Sequence, residues 1–171
     1  MTQSFDEIYG RNAPALYRYL RRLTPPAARA EDLLQETFLK LHLQLEGGAS
    51  IENVRAWLFR VATHLAMDRG KAEARQQARE QGYLGSVRVV DLHAHVEQRH
   101  DVRRALARLT PRLRQVLLLN AEGFTYKEIA EISGVEPGYA GVLLQRARAE
   151  FKRIFEDSGD LRTSRRSRHV C

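Results

Sequence analysis

The chain has 171 residues, enough for one medium-sized domain or two small ones. Its formal net charge of +7 predicts a polyanionic partner, and nucleic acid is the first candidate. The sequence has no apolar run long enough to cross a membrane and no basic leader followed by an apolar segment, so we expect a cytoplasmic protein without membrane insertion. Its single cysteine, Cys171, excludes an intramolecular disulfide.

The first apolar pattern runs from Phe5 to Leu23 at mixed helical spacings. Pro14 suits a first helical turn, so we predict two helical pieces here. The second piece should end at Thr24, because two prolines follow it and proline lacks the backbone donor that a helix needs.

The next predicted helix, Ala30 to Leu45, has two distinct faces. Its apolar stripe must be buried and consists of Leu34, Phe38, Leu41 and Leu45. Acidic and amide side chains lie on another face beside an exposed Leu39. Acidic residues near a helix start are also explained by the helix dipole alone, so this face has a structural and a functional interpretation.

A third predicted helix runs from Asn53 to Lys71, with a core stripe at Leu58, Val61, Ala62 and Leu65. A second face carries a basic arc beside an aromatic residue and an acid: Arg60, His64, Lys71, Trp57 and Asp68. This combination is expected where a protein grips phosphates and stacks on unpaired bases. A solvated charged face with a packed tryptophan is the alternative.

The apolar periodicity is lost after Lys71 and resumes near Asp101. We therefore predict an all-α protein with two small helical domains joined by a flexible linker. The predicted divisions are a first domain (1–75), a linker (76–98), a second domain (99–156) and a basic, disordered tail (157–171). The second domain should begin with two helices, the later of them starting at Thr110-Pro111 and ending near Glu122-Gly123.

The segment from Phe124 to Phe151 predicts a helix-turn-helix. Thr125 and Glu128 form a capping-box pattern, and Gly134 and Pro137 suit the turn between the helices. The second helix has an inward stripe at Ala140, Leu144, Ala147 and Phe151 and an outward face at Tyr139, Val142, Gln145, Arg146 and Arg153. In the DNA-binding motif such an outward face enters the major groove. An ordinary helical hairpin is the alternative.

Three segments together resemble the extracytoplasmic-function sigma factors of bacterial RNA polymerase. Residues 30–41 (AEDLLQETFLKL) resemble the polymerase-binding helix of that family, and residues 54–62 (VRAWLFRVA) with 66–69 (AMDR) resemble its promoter-melting helix. The runs 126–130 (YKEIA) and 146–148 (RAR) resemble its carboxy-terminal helix-turn-helix.

The resemblance implies a role in initiation and three sets of site residues. Residues for the clamp helices of the beta-prime subunit would be Asp32, Leu33, Gln35, Glu36, Phe38 and Leu39, all on the exposed side of their helix. Residues for opening the single-stranded −10 element would be Arg55, Trp57, Arg60, His64, Asp68 and Lys71. Residues for the double-stranded −35 element would be Lys127, Tyr139, Val142, Gln145, Arg146 and Arg153. The beta flap and an anti-sigma factor are further implied partners.

Two departures from the family pattern affect specificity. His64 stands where the family often has asparagine, which changes the hydrogen bonding available to a base. Gly141, Val142 and Leu143 stand where the family commonly carries basic residues and a serine, which predicts weak DNA binding by the helix-turn-helix alone.

No enzymatic site, cofactor or metal is predicted. The residues His93, His95, His100, His169 and Cys171 are too irregularly spaced for a zinc site. Two rival functions remain: a stand-alone helix-turn-helix regulator, and an interaction protein that sequesters a polymerase subunit. The specific run from Asp32 to Leu41 argues against the first, and Trp57 with its basic arc argues against the second.

Overall fold

The computed structural model describes residues 4–24, 27–80 and 97–166, and all of the regular structure in these ranges is helical. The helices are α1 (Phe5–Leu23), α2 (Ala27–Glu46), α3 (Val54–Glu80), α4 (Glu97–Arg108), α5 (Pro111–Ala121), α6 (Tyr126–Ser133) and α7 (Pro137–Arg166). The all-helical prediction is therefore confirmed for the described part of the chain. We call α1–α3 the first unit and α4–α7 the second unit.

Helix α1 is continuous, so the predicted break near Pro14 is wrong. A capping box formed by Ser4 and Glu7 starts the helix. Proline inside a helix costs about 3 kcal/mol. Burial of the face that contains Leu16, Tyr19 and Leu20 against α2 and α3 offsets that cost.

Helix α3 is longer than the apolar periodicity predicted and continues past Lys71 to Glu80. Side chains in this extension are mostly exposed, which explains why no apolar stripe marks it. His93, His95, His169 and Cys171 lie outside the described residues, as does the side chain of His100.

The caps predicted in the second unit are confirmed. Thr110 caps α5, and Thr125 and Glu128 form the capping box of α6. Gly134 ends α6 with φ +62°, a left-handed conformation that glycine adopts without steric cost. Helix α7 then continues through Arg166, whereas composition predicted disorder in this part of the tail.

The two units share one continuous apolar core. The rings of Phe59 in α3 and Phe124 before α6 pack edge to face at 4.8 Å between centroids. Helix α1 also contacts α5. Within the first unit, the buried hydroxyls of Tyr19 and Thr63 are hydrogen-bonded at 2.7 Å, and burial raises the pKa of Tyr19.

Candidate polymerase and nucleic-acid interfaces

The exposed face of α2 carries Asp32, Gln35 and Leu39, and Leu39 is 57% exposed. Glu36 is partly buried at the edge of this face, where its Oε2 accepts a hydrogen bond from Arg69 Nη2 of α3 at 2.6 Å. The resulting surface has an apolar centre with a charged border, which is the chemistry of a protein-docking patch.

Leu33 and Phe38 do not lie on this face, so their placement on the exposed side is wrong, whereas the burial of Phe38 confirms its place in the predicted apolar stripe. Leu33 is fully buried and Phe38 is 3% exposed. The ring of Phe38 packs against Tyr9 of α1 at 4.6 Å between centroids. Thr37 is also buried because its hydroxyl donates to the carbonyl oxygen of Leu33 at 2.6 Å, and this bond lets a polar residue join the inward face.

The predicted basic arc of α3 is exposed: Arg60, His64, Asp68 and Lys71 all reach solvent. Trp57 is half-buried at one end of this arc. Asp68 and Lys71 approach each other to 3.9 Å with both side chains largely exposed, so this pair leaves the lysine available to an anion.

Trp57 and Arg60 line a cleft of about 340 Å³. The α2–α3 loop forms one wall and α6 forms another, so both units contribute to the cleft. Its lining is Gln44, Ala49, Ser50, Ile51, Glu52, Asn53, Ala56, Trp57, Arg60, Glu131 and Ile132. Sequence patterns missed the loop residues because loops carry no periodic signal. Asn53 is the exception, because asparagine before a helix is a recognisable N-cap signal. Its side chain accepts a hydrogen bond from the Ala56 backbone at the start of α3.

Arg55 points away from the arc and toward the second unit. Its Nη2 donates to the carbonyl oxygen of Glu122 at 2.5 Å. Its guanidinium carbon lies 4.2 Å from the ring centroid of Phe124 and 5.4 Å from that of Phe59. The structure therefore separates Arg55 from Arg60 and His64, with which the resemblance grouped it.

The outward face of α7 is exposed as the spacing predicted. Tyr139 and Val142 are 44% and 47% exposed, and Gln145 and Arg146 also reach solvent. The inward stripe is confirmed, because Ala140, Leu144 and Ala147 are buried and Phe151 is partly buried. Lys127 on α6 is exposed as well. Arg153 is paired with Glu150 and Asp157 on its own helix.

Leu143 is buried, so its apolar character removes no charge from the outward face of α7. Only Gly141 and Val142 therefore replace the polar residues that the family commonly has on that face. A Cβ at Gly141 would lie 3.9 Å from the ring of Tyr126, a residue of α6 that is 52% exposed. Tyr126 therefore belongs to the same surface, although its position at a helix start gave no such signal.

The start of α6 is stabilised by a hydrogen bond to a charged side chain. The Thr125 backbone N–H donates to Glu128 Oε2 at 2.8 Å, and this bond lowers the pKa of the Glu128 carboxyl.

Among the described residues there is no cluster of histidine, cysteine or carboxylate side chains suited to a metal ion. Within the same residues, no helix is long and apolar enough to cross a membrane.

Comparison with known families gives two matches. The Sigma-70 region 2 model matches residues 8–79, and the Sigma-70 region 4 model matches residues 99–151. The first match covers the exposed faces of α2 and α3, and the second covers the helix-turn-helix.

Similar proteins agree with these matches. The chain is 28% identical to the ECF RNA polymerase sigma factor SigM of Bacillus subtilis over 89% of this chain and 95% of that protein. It is 30% identical to the ECF RNA polymerase sigma factor SigE of Mycolicibacterium smegmatis over 87% of this chain and 60% of that protein.

A solved structure agrees as well. The sigma factor RpoE of Bartonella quintana, in complex with the anti-sigma factor NepR, superposes with a TM-score of 0.73 and 25% identity, covering 89% of this chain and 96% of that one. The order of the two matched regions, the helical fold and these relatives show that the chain belongs to the extracytoplasmic-function sigma factors of the sigma-70 family, which are transcription initiation factors and not enzymes.

Proposed function

We propose that this chain binds core RNA polymerase in the cytoplasm and directs it to promoters through a −10 and a −35 element. The observation that carries the proposal is the cleft lined by Trp57 and Arg60, two residues within the region 2 match, because Arg60 also begins the exposed basic arc of α3. An aromatic residue with a neighbouring cation suits an unpaired base and its phosphate.

The exposed face of α2 is the proposed contact to the clamp helices of the beta-prime subunit. Asp32 supplies negative charge for a basic helical partner, and Leu39 supplies an apolar anchor. We retain Asp32, Gln35, Glu36 and Leu39 for direct contact. Leu33 and Phe38 support this face from the core and do not touch the partner.

The arc of α3 is the proposed surface for opening the −10 element. Unstacking a base costs a few kcal/mol, so the cleft must offset that cost by enclosing the base. Arg60, His64 and Lys71 then contact the phosphates of the single strand. Lys71 can do so because its side chain is largely exposed and its contact with Asp68 is long.

The outward face of α7 is the proposed surface for the −35 element. Gln145 is suited to adenine, Arg146 to guanine or phosphate, and Val142 to a thymine methyl. Lys127 and Tyr139 lie at the edges of this surface, where they reach the backbone. The beta flap and an anti-sigma factor are additional proposed partners of the chain. The second is supported by the solved complex of the similar sigma factor RpoE with NepR.

Reconstitution with core RNA polymerase tests the function. Core enzyme with this chain should transcribe genomic fragments from a small set of mapped start sites that share −10 and −35 motifs. Core enzyme alone, and core enzyme with the Asp32→Arg variant, are the controls. A stand-alone helix-turn-helix regulator would bind duplex DNA tightly without polymerase and would give no new start sites, and that result would reject the proposal.

A further inference from the structure

The outward face of α7 has a gap at Gly141. Among the glycines that the structure describes, only Gly48, Gly123 and Gly134 have a positive φ, so the backbone of Gly141 does not require glycine. A Cβ at position 141 would make only ordinary van der Waals contacts, at 3.9 and 4.0 Å. Packing within the protein therefore does not require glycine either, although glycine inside a helix is less favourable than alanine.

The ring of Tyr126 forms one wall of this gap. Its Cδ2 and Cε2 are the atoms that would lie 3.9 and 4.0 Å from a Cβ at Gly141. Tyr126 is the first residue of α6 and is 52% exposed, so its ring reaches from one helix of the helix-turn-helix to the other at the surface. Gly141 itself is partly exposed, and the gap therefore opens to solvent.

Two residues of α7 border the gap on its other sides. Val142 follows Gly141 along the chain and is 47% exposed. Gln145 is also exposed and lies one helical turn after Gly141 on the same side of α7. The gap thus has an aromatic wall, an aliphatic wall and an amide at its edge. We call Tyr126, Gly141 and Val142 the notch.

Apolar walls of this size suit one group on duplex DNA. Thymine presents a C5 methyl group in the major groove, and no other base of unmodified DNA does so. The second helix of a DNA-binding helix-turn-helix lies in that groove. Enclosing the methyl group between Tyr126 and Val142 would remove apolar surface from water on both molecules. Cytosine at the same place would present an amino group to these walls and lose a hydrogen bond to water.

We propose that the notch holds the C5 methyl group of a thymine in the −35 element, which makes Tyr126 of α6 a base-reading residue alongside the outward face of α7. This proposal rests on the proposed function for the placement of α7 in the major groove. Gln145 at the edge of the notch is suited to adenine, so the two features together select A·T pairs in this part of the element. A larger side chain at position 141 would fill the notch and remove the selection.

Replacement of thymine with uracil tests the notch, because uracil pairs as thymine does and lacks only the methyl group. The full chain first selects duplexes from a random library at about 50 mM salt, where attraction to phosphates strengthens binding. Each thymine of the selected motif is then replaced singly, and fluorescence anisotropy gives the dissociation constants of both duplexes. One replacement should weaken binding by about fourfold, the ratio expected for one buried methyl group.

Two variants should remove this methyl dependence by different means. Tyr126→Ala removes a wall, and Gly141→Ala fills the notch with a methyl group that the fold accepts. In both, the ratio of the uracil to the thymine dissociation constant should fall to about one, because no methyl group of the DNA is then enclosed. A general loss of stability would weaken binding to both duplexes equally and leave the ratio unchanged.

Two further variants are the controls. Tyr126→Phe keeps the ring and should keep the ratio of the wild type. Gly138→Ala also adds a Cβ to a glycine of α7, where it would meet no atom within 4 Å, and it should keep the ratio as well. Loss of the ratio in Gly138→Ala would overturn the notch, because any added methyl group on α7 would then have the same effect.

The notch would also be overturned by a selected motif without a thymine at a fixed position, or by equal affinities for the thymine and uracil duplexes at every position. A methyl dependence that persists in Tyr126→Ala would overturn it too, because the methyl group would then be held elsewhere. None of these measurements uses polymerase. A chain that shows the methyl dependence but gives no start sites with core polymerase would reject the proposed function and leave the notch in place. Start sites without the methyl dependence would do the reverse.

Discussion

Glu36 of α2 and Arg69 of α3 form an ion pair with 2.6 Å between Oε2 and Nη2. It joins the proposed docking face to the helix that is proposed to open DNA. Both side chains remain about a third exposed, at 33% for Glu36 and 38% for Arg69, so solvent screens their attraction.

We predict that a double-mutant cycle on this pair yields a small, salt-dependent coupling. Glu36→Gln, Arg69→Met and the double variant should give about 0.2 to 1 kcal/mol in the free energy of unfolding. The coupling should shrink as ionic strength rises, because salt screens exposed charges. Denaturant unfolding at two salt concentrations measures it. A coupling that does not depend on salt would contradict the electrostatic origin of the contact.

The docking face predicts a selective loss of polymerase binding. Asp32→Arg should weaken binding to core polymerase by at least about tenfold, because it reverses a charge at the border of an apolar anchor. Glu46→Arg makes the same charge change at the far end of α2 and should have a smaller effect. Fluorescence anisotropy with labelled chains measures both affinities. Equal losses in the two variants would indicate a general charge effect and not a docking residue.

The arc of α3 predicts a defect in strand opening. Arg60→Ala and His64→Ala should reduce permanganate reactivity of promoter thymines more than they reduce polymerase binding, because both side chains are exposed on the arc that we propose contacts DNA. Arg11→Ala removes an exposed arginine from α1 and serves as the control. Normal strand opening in both α3 variants would leave the arc as a solvated charged surface.

The turn of the helix-turn-helix offers two glycines with equal free space and different backbones. A Cβ would meet no atom within 4 Å at either Gly134 or Gly138, but only Gly134 has a positive φ, +62°. Gly134→Ala should therefore destabilise the chain by about 1 to 2 kcal/mol through left-handed strain. Gly138→Ala should be neutral or stabilise by up to about 1 kcal/mol, because alanine favours the helix. Denaturant unfolding compares them, and equal shifts would contradict this separation of strain from packing.

Sequence patterns predicted the second unit more accurately than the first. Its caps at Thr110 and Thr125 and its glycine at position 134 act locally, through hydrogen bonds and φ values within a few residues. Local rules therefore located the start of α5 and both ends of α6. The outward face of α7 was predicted correctly because the spacing of the small residues Ala140 and Ala147 marked the inward face, and both are fully buried.

The errors in the first unit arise from tertiary packing. Pro14 acts as a break by local rules, but the buried face of α1 outweighs it. Leu33 and Leu34 are adjacent leucines, so the sequence alone did not decide which of them is buried. Leu33 lies on the same inward face as Thr37, and a polar residue at that position did not indicate burial, although its hydroxyl is satisfied by the Leu33 carbonyl. Arg55 was grouped with the DNA-facing residues because no local pattern reveals a partner that lies 67 residues away along the chain.

The outward face of α7 is the proposed surface for the −35 element. Gln145 and Arg146 are exposed between Val142 and the end of the inward stripe, and they carry most of the polar groups available to base edges. Arg146→Ala should abolish the −35 preference, and Gln145→Ala should relax it at one or two base pairs, at a cost of about 1 to 3 kcal/mol each. Val142→Lys restores a cation to this face and should steepen the salt dependence by about 0.9 in log–log slope for one phosphate gained.

A promoter library transcribed by reconstituted holoenzyme measures the −35 preference, and titrations of duplex DNA at several salt concentrations measure the slope. Arg148→Ala is the matched control, because Arg148 donates to Asn120 of α5 and so lies on the side of α7 nearest α5, away from the outward face. If Arg146→Ala and Gln145→Ala retain the wild-type −35 motif while Arg148→Ala changes it, then α7 presents a different face to DNA. The assignment of Ala140, Leu144 and Ala147 to the core would still stand, because their burial does not depend on DNA, but base recognition would have to lie on the side of α7 nearest α5.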